Sequence, residues 1–121
     1  MNPLYPTIIK SDAIIFGTPV YWYGPTALMK GFIDRFVYFN CPEHRAELKG
    51  KSAVIAVPFE ETNPETAALL LAFFEKSLQY LQMNLIGSII VPSVGRKGEI
   101  AEKPDRLAEA YELGRKVASQ I

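Results

Sequence analysis

The residues best suited to chemistry are consecutive and mostly aromatic: Thr18, Pro19, Val20, Tyr21, Trp22, Tyr23 and Gly24. Tyr21, Trp22 and Tyr23 offer flat faces for stacking. Pro19 restricts Thr18 to extended backbone and stiffens the segment, while Gly24 can take dihedrals closed to other residues. A rigid loop with backbone N–H groups beside aromatic faces suits a planar heteroaromatic ligand. Connecting segments normally run over the surface and are polar, so an apolar one needs a cover. A ligand and a second subunit both meet that need, and the residues alone leave the two open.

Other chemistry-bearing residues are sparse. P-F-E-E-T-N at residues 58–63 carries Phe59 and two glutamates, which read most simply as a solvated acidic turn. V-G-R-K-G-E at residues 94–99 carries Arg96 and Lys97 between two glycines. Two cations could meet a ribose phosphate, and the simpler reading is again a solvated turn. Lys30 and Asp34 have the spacing of an exposed helical ion pair. His44, the only histidine, lies in the most polar connection and is expected to be exposed. Cys41, the only cysteine, is expected to be a small buried residue. It excludes an internal disulfide and a cysteine-rich metal site within these residues. No nucleophile stands beside a general base.

Three apolar runs that do not alternate with polar residues must position this loop: residues 13–16, 52–57 and 85–91. They read as parallel strands buried on both faces. Helices are expected at residues 3–10, weakly, then at 25–40, 64–82 and 104–119. Pro25 sits in a first turn, where proline is tolerated, and Asn63 is placed to cap the third helix. Leu107, Tyr111, Gly114 and Val117 recur at helical spacing along the last. The second helix is apolar around most of its circumference, which predicts burial on more than one side. Alternating strands and helices imply one open α/β domain, with ligands beyond the carboxyl ends of the strands. The aromatic loop leaves a strand on that edge.

Composition excludes several classes. The 121 residues carry 13 basic and 13 acidic side chains, so nothing attracts a nucleic-acid backbone. The longest apolar run, residues 67–74, is too short for a membrane span, and no signal peptide is evident. A cytoplasmic protein is the expectation. A net charge near zero gives little protection against self-association.

The segment S-D-A-I-I-F-G-T-P-V-Y-W-Y-G-P-T-A-L-M-K-G-F-I-D-R-F, residues 11–36, resembles the middle of the NADPH-dependent FMN reductase family, whose relatives include iron–sulfur flavoproteins and multimeric flavodoxins. N-L-I-G-S-I-I-V-P-S-V-G-R-K-G-E-I and E-A-Y-E-L-G-R-K-V-A extend the likeness. The resemblance implies a flavodoxin-like three-layer fold with a parallel sheet. It implies FMN with its ring against Thr18, Pro19, Val20, Tyr21, Trp22, Tyr23 and Gly24, and Phe59 at the ring edge. It also implies NAD(P)H as electron donor, a small-molecule acceptor and a homo-oligomer, dimer or tetramer. The cofactor carries the redox chemistry, so no catalytic side chain is assigned. The family's first strand and S-G-S-x-R phosphate loop have no counterpart here, so these residues are expected to form roughly the last three-fifths of such a domain, with three strands of the usual order. An electron-transfer flavoprotein and a flavin-free remnant serving as a binding module are the alternative readings.

Overall fold

The structure, a computed structural model, describes residues 2–121. Three parallel strands form one sheet in the order β1-β2-β3: β1 is Ala13–Gly17, β2 Ser52–Pro58 and β3 Asn84–Val91. The helices are α1 (Tyr5–Lys10), α2 (Ala27–Asp34), α3 (Ala68–Tyr80) and α4 (Pro104–Ser119). This is the α/β layering that the alternating pattern predicts.

One face of the sheet is filled by aromatic residues. Phe16 of β1 and Ala53, Ile55 and Val57 of β2 pack with Ile8 of α1 and with Leu70, Phe74 and Leu78 of α3. Both crossover helices lie on this face, as successive right-handed connections in one direction require. Among the described residues the opposite face carries α4. Ile15 and Val54 alternate with Phe16 and Ile55, so they point there. With Ala56, Ile89, Ala110, Leu113, Gly114 and Val117 they line an apolar cavity of about 220 Å³.

Several expectations change. Helix α2 ends at Asp34, and a 3-10 helix, Arg35–Asn40, takes over. Its tighter winding turns Phe36 and Phe39, three residues apart, together into the core. The third predicted helix likewise begins as a 3-10 turn, Pro64–Ala67, with the Asn63 side chain accepting a hydrogen bond from the Glu65 N–H. Helix α2 is not buried on several sides, since Leu28 and Val37 beside it are exposed. Only β2 is buried on both faces; Ile15 on the edge strand β1 is 69% exposed. In α4 the inward stripe is Ala110, Leu113, Gly114 and Val117, and Leu107 and Tyr111 face outward. Cys41 is exposed rather than buried. His44 is half-buried, stacked on Tyr38 with Nδ1 2.9 Å from Glu47 Oε1. Lys51 ties the entry to β1: its Nζ donates to the carbonyls of Ile9 and Ser11.

Candidate functional site at the carboxyl edge of the sheet

Thr18 directly follows β1 and is 2% exposed. Its backbone N–H donates to the Ala56 carbonyl, 3.0 Å, which extends the ladder by one residue. Its hydroxyl donates to the Pro19 carbonyl and accepts from the Thr26 N–H, 3.2 Å. Thr26 in turn caps α2, its own hydroxyl accepting from the Met29 N–H. Thr18 thus anchors both ends of the aromatic loop from within, and Val20 turns inward onto the core.

Beyond Val20 the chain makes a two-residue hairpin. The N–H of Tyr21 donates to the Gly24 carbonyl, 2.9 Å, and the N–H of Gly24 donates to the Tyr21 carbonyl, 3.2 Å. The turn residues are Trp22 and Tyr23, with φ of 52° and 66°. Both are left-handed, the signature of a type I′ turn, which ordinarily takes Asn-Gly. The left-handed region that the sequence assigns to Gly24 is therefore occupied by two aromatic residues. Each costs about 1–2 kcal/mol relative to right-handed backbone. The hairpin lifts Trp22 to 96% exposure.

The other two edge loops are bonded to each other. Phe59 N–H donates to Val91 O, Val94 N–H to Phe59 O, and Ser93 N–H to Glu61 O. Gly95 permits a close approach: a Cβ there would lie 3.0 Å from the Glu60 side chain. The turn that follows is organised by one carboxylate. Glu99 Oε1 accepts from the N–H groups of Gly95 and Arg96, at 3.3 and 3.2 Å, and from Arg96 Nε. Those backbone bonds, first Gly95 and then Arg96, hold the Glu99 carboxyl below its ordinary pKa.

The three loops enclose a cleft of about 440 Å³. Pro19 and Tyr21 line one side and Arg96 and Lys97 the other, with Pro58, Phe59 and Glu60 between. The fold therefore brings together Pro19, Tyr21 and Phe59 of the expected ring contacts. Phe59 is only 4% exposed and belongs mainly to the core. Thr18 and Val20 support the cleft from beneath, Gly24 closes the hairpin, and Trp22 and Tyr23 stand at its tip rather than in the wall. Sequence reasoning missed Glu99; its signal was a glutamate directly after a glycine-bounded turn.

The order of three parallel strands, the helices on both faces and the ligand-edge cleft define a flavodoxin-like domain. The profile of the NADPH-dependent FMN reductase family matches residues 1–93, and the chain belongs to that family. It is similar to an iron–sulfur flavoprotein of Archaeoglobus fulgidus, 32% identical over 120 residues, which is 98% of this chain and 50% of that one. It is also similar to YwqN of Bacillus subtilis, provisionally described as an NAD(P)H-dependent FMN-containing oxidoreductase, 30% identical over 112 residues, 88% of this chain and 60% of that one. The chain thus spans about half of the first relative and three-fifths of the second. Among solved structures, the Trp repressor binding protein of Bacillus subtilis superposes with a TM-score of 0.84 at 23% identity, over 93% of this chain and 74% of that one. A flavodoxin, WrbA-like protein from Agrobacterium tumefaciens gives 0.65 at 20% identity, over 96% and 73%. These two likenesses speak to the fold.

Proposed function

We propose that this chain supplies the ring side of an FMN site in an NAD(P)H-dependent oxidoreductase that passes electrons to a small-molecule acceptor. The observation that carries the reading is the cleft at the carboxyl edge of a parallel sheet, walled by Pro19, Tyr21 and Phe59, in a chain of this family. Apolar walls on Pro19, Tyr21, Pro58, Phe59, Val94 and Ile100 fit a flat heteroaromatic ring. When bound, the flavin supplies the hydride and electron chemistry, and the protein supplies position and polarity. Thr18 and the Tyr21–Gly24 bonds fix the wall before any ligand arrives, which lowers the ordering cost of binding. Buried Phe59 excludes water from the floor. The reading includes a homo-oligomer acting in the cytoplasm. No helix among the described residues is long and apolar enough to cross a membrane.

Titrating the folded protein with FMN tests this. Saturable quenching of flavin fluorescence is expected, and Tyr21→Ala should weaken it about tenfold, equivalent to about 1.4 kcal/mol. A folded chain that leaves flavin fluorescence unchanged at every concentration overturns the reading. Quinone-dependent NADPH oxidation by the FMN-loaded protein then separates an enzyme from an electron carrier.

A further inference from the structure

A ring site alone leaves Arg96 and Lys97 without a role. Across the cleft the side chains run in an order: apolar at Pro19 and Tyr21, then Phe59 and the carboxylate of Glu60, then the cations of Arg96 and Lys97. A ligand matching that order has a planar end, hydroxyl groups in the middle and an anionic end. A carboxylate accepts hydrogen bonds from ribose hydroxyls and repels phosphate, so Glu60 suits the middle position and not the last. Gly95 leaves it room: a Cβ there would lie 3.0 Å from both Cγ and Oε1 of Glu60.

The cationic wall is organised for side-chain contact. Glu99 already takes the N–H groups of Gly95 and Arg96, so an anion at this turn must be held by side chains. The same carboxylate engages Arg96 through Nε. Glu102 Oε2 stands 3.9 Å from Arg96 Nη2, beyond hydrogen-bond reach. Among the described residues, Arg96 Nη1 and Nη2 and Lys97 Nζ have no hydrogen-bond partner. Glu99 thus fixes the guanidinium by its inner nitrogen and leaves the two outer ones, a pair that grips an oxyanion side by side.

We propose that Arg96 and Lys97 hold the bridging diphosphate of the nicotinamide donor, a role that rests on the cleft being a ring site. In the donor the diphosphate lies one ribose beyond the nicotinamide. The 2′-phosphate that distinguishes NADPH from NADH lies further off, on the adenosine ribose. A cleft of about 440 Å³ is smaller than a whole dinucleotide, so the nearer anion is the one within its walls. The order of the lining agrees: ring against Pro19 and Tyr21, ribose hydroxyls at Glu60, diphosphate at the cations. Arg96 and Lys97 therefore read the group that both donors share, and they give the chain no preference between NADH and NADPH.

NMR titration of the folded chain with ADP-ribose, which carries the diphosphate and no nicotinamide, tests the site without flavin. Saturable shifts are expected at the amides of Arg96, Lys97 and Gly98, and they should weaken with added salt. Arg96→Ala should weaken binding about tenfold and Lys97→Ala about threefold. Lys76→Ala, an equal loss of charge on α3 away from the cleft, should leave it unchanged. NAD⁺ and NADP⁺ should bind within about twofold of each other, and Arg96→Ala should weaken both alike. The ring wall is read separately, because FMN binding should be the same with and without Arg96. Four results would each overturn the inference: no saturable ADP-ribose binding, equal weakening by Lys76→Ala, a preference for NADP⁺ that disappears in Arg96→Ala, or an Arg96→Ala chain that loses FMN and keeps riboflavin. The last would give the cations to the flavin's own phosphate.

Discussion

The loop after β1 and the loop after β3 flank the same cleft, yet they are held in opposite ways. The first is fixed by backbone: a buried Thr18 hydroxyl at its base, two hydrogen bonds between Tyr21 and Gly24, and left-handed dihedrals at Trp22 and Tyr23. The other is gathered around one carboxylate, Glu99, which accepts from two amides and a guanidinium. The first stores strain, and none of the bonds that hold it uses a titrating side chain. The second is relaxed only while its charge lasts. One cleft thus has a wall held by bonds without a titrating group and a wall gathered around one that titrates.

The largest expected effect is at the base of the stiff wall. Thr18→Val removes two part-buried hydrogen bonds, to the Pro19 carbonyl and from the Thr26 N–H, and at about 0.5–1.5 kcal/mol each should cost about 1–3 kcal/mol in denaturant unfolding. A loss near zero would mean that Thr18 does not hold the loop. Next, Thr26→Ala should cost about 1 kcal/mol by removing the α2 cap. The double substitution Trp22→Asn with Tyr23→Gly should act in the other direction. It gives the turn its preferred residues and should stabilise the fold by about 1 kcal/mol. If stability falls instead, the aromatic pair is doing more in the folded chain than occupying a strained turn.

The smallest effect separates the two walls most cleanly. The folded Glu99 carboxyl titrates below its unfolded value, so its contribution is complete above the ordinary carboxylate range and is lost as pH falls through the folded pKa. Below that range, amide exchange at Gly95 and Arg96, corrected for its intrinsic pH dependence, should quicken. Exchange at Tyr21 and Gly24 should not. Glu99→Gln should show the faster exchange already at neutral pH. Equal behaviour of the two loops would erase the distinction.

Much of the fold is legible in the residues. The apolar runs of β1, β2 and β3 and the prolines Pro64 and Pro104 at helix starts mark the layers, because buried parallel strands and helix N-termini leave local signatures, whereas Pro25 lies just before the Thr26 cap of α2 rather than in its first turn. The last helix even keeps its expected ends. What the sequence hides is set by tertiary context. No local rule puts Trp and Tyr at φ above zero; the buried Thr18 and the two bonds that close the hairpin impose it. Cys41 and His44 exchange their expected burial because Tyr38 provides a face for the imidazole and nothing covers the thiol. At the site, the residues of the aromatic loop were readable as a group. Their division into wall, support and tip required the hairpin, and Glu99 required the fold of a loop whose own residues look like an ordinary turn.

The hairpin has a practical consequence. Trp22 is the only tryptophan of the chain, and it stands almost wholly in water. Its emission therefore starts near the fully hydrated limit, so melting the Phe16–Phe74 core will shift its colour little. Anything that settles on the hairpin, whether flavin or a neighbouring chain, will shift it blue and shield it from acrylamide. The protein carries its own optical reporter, tuned to contact rather than to folding.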